Sequence, residues 1–105
     1  MIELPALEHA ARVRLRREGG VAPVPARAQP RDIDLSACSE QRRRSVCDAL
    51  AAAAAQAGSA GGGDQRYFHV EILFEGIAAG IVAFEVPEGR APDALLEIWK
   101  RGAGP

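Results

Sequence analysis

The stretch QRYFHVEILFE, residues 65–75, decides the fold. Phe68, Val70, Ile72 and Phe74 alternate with Tyr67, His69, Glu71 and Leu73, a period of two that puts four apolar side chains on one side of a strand. A helix scatters the same residues around its axis. Residues 65–75 therefore read as the central strand, and burying the four inward side chains contributes about 1.5 to 3 kcal/mol each. Downstream, EGIAAG at residues 75–80 reads as a hairpin connection. Residues 81–86 follow as its partner strand, with Val82, Phe84 and Val86 in phase. Upstream, GSAGGGD at residues 58–64 is a connector of seven residues, too short to separate two domains. Its glycines precede a strand and lack the Lys-Ser/Thr helix opening of a phosphate loop.

Before that connector, Val46, Leu50, Ala53, Ala54 and Ala57 recur at helical spacing, with Asp34, Ser36 and Ser39 crowded at the start and Gly58 as a stop. This predicts a helix over 39–57 with an alanine-rich inner stripe, while Arg42, Arg43 and Arg44 form a solvated face. Further back, residues 11–18 alternate, with Val13 and Leu15 facing in and Arg12, Arg14 and Arg16 facing out, and Gly19-Gly20 ends the strand. Pro23 and Pro25 lack backbone donors and shape a loop, and Pro30 makes residues 26–35 an irregular edge strand. At the other end Pro92 opens a short helix over 92–101 carrying Leu95, Leu96, Ile98 and Trp99. The expected architecture is α+β, a small antiparallel four-stranded sheet with two helices packed on one face, in the order ββαββα. Residues 1–10 read as a flexible N-terminal segment, 11–102 as the single domain and 103–105 as a C-terminal tail.

The chain has 105 residues, 48% hydrophobic and 26% charged, the composition of one ordinary globular domain. Thirteen Lys and Arg oppose fourteen Asp and Glu, so there is no bulk attraction to nucleic acid or an anionic membrane. Residues 1–54 carry 9 basic and 7 acidic residues, an excess of only two, and five aromatics in the whole chain make a base-stacking platform improbable. No window reaches the ~20 apolar residues of a spanning helix. Residues 1–11 carry Glu3 and Glu8 but no basic region followed by an apolar one, so a cytoplasmic location is expected. Cys38 and Cys47 are nine residues apart, roughly 13 Å along a helix, too far for a disulfide; free thiols are expected. No metal-ligand spacing occurs, His9 and His69 are sixty residues apart, and no nucleophile accompanies His69 and Glu71 on their strand. Neither an enzyme nor a cofactor is expected.

The order Val13-x-Leu15-x-Arg17-x-Gly19-Gly20-Val21, then Ile33-Asp34-Leu35, an Ala/Leu helix, Asp64-x-x-Tyr67 and Pro92-x-x-Leu95, resembles the emfourin family from about Arg12 to Arg101. These are small bacterial inhibitors of thermolysin-like zinc metallopeptidases, the protealysin type in particular. The resemblance implies a protein that docks over the cleft of such an enzyme inside the cell, and whose gene lies near the enzyme's. Arg17, Glu18, Gly19, Gly20 and Val21 are then the partner-binding residues. The glycines let the backbone approach a cleft wall, Val21 fills an apolar subsite, and Glu18 brings a carboxylate towards the enzyme's zinc. Where family members usually have an aromatic residue after the glycine pair, this chain has Val21. The same glycines also read as a turn that merely ends a strand. The competing function is a non-inhibitory interaction module or homodimeric scaffold subunit, and a monomer or weak dimer fits either.

Overall fold

The computed structural model describes residues 2–19, 29–58, 65–76 and 79–101. Within them run β1 (Ala10–Glu18), β2 (Arg31–Asp34), α1 (Glu40–Ala55), β3 (Tyr67–Phe74), β4 (Gly80–Pro87) and α2 (Asp93–Arg101). The strands form one antiparallel sheet in the order β2-β1-β3-β4. The expected α+β architecture and its element order are what the chain adopts.

Register explains why the sheet has one apolar face. Ile33, Val13, Ile72 and Val82 fall in one cross-strand row, and Leu15, Val70 and Phe84 in the next. Phe68, Val70, Ile72 and Phe74 are each at most 1% exposed, so the phase read from residues 65–75 holds. Val46, Ala49, Leu50, Ala53 and Ala54 of α1 and Leu95 and Ile98 of α2 close over that face in a single core. Small alanines let α1 lie near the sheet and near α2, at the cost of little area per contact.

Caps set the helix limits. The Ser39 side chain accepts from the Arg42 N–H at 3.1 Å and starts α1, while Asp34 caps the short 3-10 turn Leu35–Ala37 by accepting from the Ser36 N–H at 3.0 Å. The Ser36 hydroxyl, which donates to the same carboxylate at 2.6 Å, and then that N–H hold the Asp34 carboxyl below its ordinary pKa. The Pro92 carbonyl receives the N–H groups of Leu95 and Leu96, the first-turn position that proline suits.

Two expectations are corrected here. Arg42 and Arg43 are half-buried rather than solvated, and only Arg44 of the three stays exposed, within reach of Glu40 at 3.5 Å. Arg43 Nη2 donates to the carbonyls of Glu8 at 2.8 Å and Ala10 at 3.1 Å, so it clamps the N-terminal segment to the helix. That segment packs Ile2, Leu4 and Leu7 against the core, and the Ile2 N–H reaches the Ala54 carbonyl at 3.1 Å. Residues 2–9 thus lie docked along α1, and Ala10 is already a buried strand residue. Cys38 and Cys47 are free thiols, and burial is the first cause that pushes the Cys47 thiol pKa up. The expected diproline loop around Pro23 and Pro25, most of the 58–64 connector and the 103–105 tail lie outside the described residues.

Candidate functional site

The glycine-containing loop leaves the sheet at the end where β1 finishes, β3 begins and β4 ends. Three of its five predicted residues are described, and each has a distinct position; Gly20 and Val21 lie outside the described residues. Arg17 falls in phase with Val13 and Leu15, on the helix-covered face, level with Phe68. Its guanidinium pairs with the carboxylate of Glu88, in the 3-10 turn that follows β4. Glu18 points to the other face. Its Oε2 accepts from the Tyr67 hydroxyl at 2.9 Å, and its Oε1 lies 3.5 Å from Arg16 Nε. That hydrogen bond to a carboxylate is the first cause raising the Tyr67 pKa, because ionising the phenol breaks it; burial adds to the effect.

Gly19 has φ of +83°, and a Cβ built there would stand 2.2 Å from the Gln65 carbonyl oxygen. Both the left-handed backbone and the closeness of the chain leading into β3 demand glycine. The structural role weighed for the glycine pair therefore applies to Gly19.

The returning side of the loop is anchored by residues that sequence reasoning did not single out. Arg31 Nε donates to the Trp99 carbonyl at 3.0 Å, and Arg31 Nη1 donates to the Gln29 carbonyl at 2.6 Å. The same guanidinium lies 4.1 Å from the Trp99 ring centre, a cation–π contact. Trp99 in turn meets Phe68 edge to face, with ring centres 5.6 Å apart and an interplanar angle of 65°. Both loop stems thus rest on one aromatic pair, flanked by Arg17–Glu88. The only tryptophan in the chain, on the amphipathic C-terminal helix, was the available signal; its arginine partner, 68 residues away, left none.

On the outer face, cross-strand charge pairs form a ladder: Arg12 with Asp34 at 3.6 Å, Arg14 with Asp32 at 3.5 Å, and Arg16 with Glu71 at 3.2 Å. His69 Nε2 is 3.2 Å from the same Glu71 oxygen, and its Nδ1 is 3.9 Å from Glu85. His69 and Glu71, two apart on one strand face, lie together, and Arg16 shares that carboxylate. Among the described residues no group of three or more His, Cys, Asp or Glu side chains gathers to hold a metal. No described helix is long and apolar enough to cross a membrane. The assembly fixes shape and charge around a loop.

The family model of emfourin matches residues 15–103, most of the chain and all of the elements just described except the start of β1. The chain belongs to the emfourin family. A solved structure of emfourin (M4in) from Serratia proteamaculans, described as an M4 family peptidase inhibitor, is 33% identical over 95% of each chain, with a TM-score of 0.52. No curated protein matches the sequence. Within this emfourin-family chain, the match begins at Leu15 and so includes the β1 end, the glycine pair and both loop stems.

Proposed function

We propose that this protein inhibits thermolysin-like zinc metallopeptidases of the M4 family by seating the loop that begins at Arg17 over the active-site cleft. The observation that carries the reading is the 33% identity, spread over 95% of both chains, to a protein described as an inhibitor of that peptidase family. Arg17, Glu18, Gly19, Gly20 and Val21 supply the contact, with Gly19 setting the backbone path and Gly20 and Val21 approaching the enzyme. The anchored stems support it physically. Stems fixed at Gly19 by a required backbone geometry and at Arg31 by Trp99 need no ordering on docking, and preorganisation lets about 800 Å² per partner reach nanomolar affinity. The protein acts by occupancy and needs no reaction chemistry of its own, and the target is a protealysin-type enzyme in the bacterial cytoplasm.

The test is a titration of peptide hydrolysis by a thermolysin-like enzyme, and by a protealysin-type enzyme, with the purified protein. Stoichiometric loss of activity is expected. Full activity of both enzymes at a large molar excess of the protein sinks the reading. Gly20→Arg locates the contact: inhibition is lost while the melting temperature stays near that of the parent.

A further inference from the structure

The sheet has a second feature that the loop does not use, the open edge of β4. The Gly58 N–H donates to the Glu85 carbonyl at 3.0 Å, so the main chain of Glu85 faces away from β3. The Glu88 N–H donates to the Arg66 carbonyl at 3.0 Å, three residues on and therefore on the opposite side. In an antiparallel ladder these two bonds fix the alternation: Ile81, Ala83 and Glu85 direct N–H and C=O outward. Pro87, which has no N–H, shares their phase. Among the described residues, nothing accepts from the N–H groups of Ile81 or Ala83. Exposed pairing groups of this kind are a template for another strand, and natural edges are usually blunted by lysine, proline or a covering element. Among the described residues Gly58 covers the Glu85 carbonyl, and the part beyond it carries Ile81, the one exposed large hydrophobic side chain among them, at 68%.

The space beside the edge fits an occupant. A groove of about 530 Å³ runs along Ala83, with Ile2, Ala57 and Phe84 on the helix side and His69 and Glu85 on the outer side. Its charge has one sign. Residues 67–89 contain Glu71, Glu75, Glu85 and Glu88 and no lysine or arginine. Arg16 pairs with Glu71 and Arg17 with Glu88, whereas Glu75 and Glu85 face no lysine or arginine among the described residues.

We infer that the β4 edge is a strand-addition site for an extended basic segment of another protein. Gly58 already holds the place opposite the Glu85 main chain, so the segment pairs alongside Ile81 to Ala83. In an antiparallel pairing the residue opposite Ala83 comes two positions before the residue opposite Ile81, both lie on the outer face, and a long side chain opposite Ala83 reaches Glu85 diagonally. The fitting segment has lysine or arginine at the first of these positions and a β-branched residue at the third. The second position is apolar, since it turns inward beside Val82. Two copies of this chain pair less well, because neither brings a basic residue to Glu85.

The probe is a capped peptide with the core Lys-Val-Val-Thr, and its control has glutamate in place of lysine. Added to the isotope-labelled full chain, the lysine peptide is expected to slow hydrogen exchange at the Ile81 and Ala83 amides. It should bind about five- to tenfold more tightly than the control at low salt, with the difference shrinking at high salt. Ala83→Pro removes an outward N–H and no ladder bond, so it should abolish capture. Glu85→Lys should reverse the preference between the two peptides, which keeps the test decisive if the proline variant folds poorly. Unchanged exchange at Ile81 and Ala83 under saturating peptide overturns the inference. So does equal binding of both peptides by the parent chain, or a concentration-dependent dimer that buries this edge without peptide.

Discussion

Gly19 and Gly20 are neighbours with different expected roles, and substitution separates them. Gly19→Ala forces a side chain into left-handed backbone against the Gln65 carbonyl, so it should lower stability by about 2 to 3 kcal/mol, read as a lower melting temperature. Gly20→Arg should leave melting in place and remove inhibition. The sequence showed that a turn must occur at the pair, because two glycines end an alternating strand; it held no sign of which one meets a backbone carbonyl, because the meeting residue is Gln65. The same limit applies to Arg43, which reads as solvated until the N-terminal segment is seen beside it. Glu18 has a separate test. Its carboxylate is engaged by Tyr67 and Arg16, so Glu18→Gln should leave the inhibition constant within about twofold, and a large loss would instead mark ligation of the target's zinc. The same variant should bring the Tyr67 ionisation, followed by ultraviolet absorbance, back towards its ordinary value near 10. For the parent chain the sign is fixed: a phenol pKa raised on folding stabilises the fold below the unfolded pKa, and that contribution disappears as pH rises through the folded value. The loss therefore falls in strongly alkaline solution, outside the range of a peptidase assay.

At the scale of elements, β3 is the most legible part of the chain and the easiest to break. Ile72 is fully buried between Val13 and Val82, whereas Leu73, one residue on, lies half-buried on the outer face beside Arg12 and Ile81. Ile72→Asp places an unpaired charge in the core and should leave no folded protein by circular dichroism. Leu73→Asp should fold, with a cost of about 1 to 2 kcal/mol, because its carboxylate reaches water and sits near Arg12. Equal effects of the two would mean that the strand's phase is wrong. The limits of α1 and α2 were readable from Ser39 and Pro92, since caps act within a few residues. The partner of β2 was less readable. A four-residue edge strand with one buried residue, Ile33, carries too little pattern to choose between β1 and any other neighbour, and the choice is made by its register with Val13 and by the Arg12–Asp34 and Arg14–Asp32 pairs.

Across the whole molecule, the two surfaces argued for lie at different corners of one stiff sheet. The loop leaves beyond Glu18, where β1 pairs with Tyr67, while the open part of β4 is level with Leu73 and Arg12. Six strand residues separate those levels on β1, about 20 Å at roughly 3.3 Å per residue. β3 lies between β1 and β4 and is buried along its inner face, so a partner at one corner moves the other only by deforming the core, which packed interiors resist. With both proposed surfaces in use, the module would hold two proteins at once. Ala83→Pro, in β4, should therefore leave inhibition of the metallopeptidase within about twofold, and Gly20→Arg should leave capture of the lysine peptide unchanged. A protein saturated with enzyme should still protect its Ile81 and Ala83 amides when the peptide is added. Competition between enzyme and peptide would show instead that the peptidase itself covers the β4 edge, and the docking surface would then have to extend from the glycine loop across the outer face of the sheet, over the charged ladder from Arg16 to Glu85.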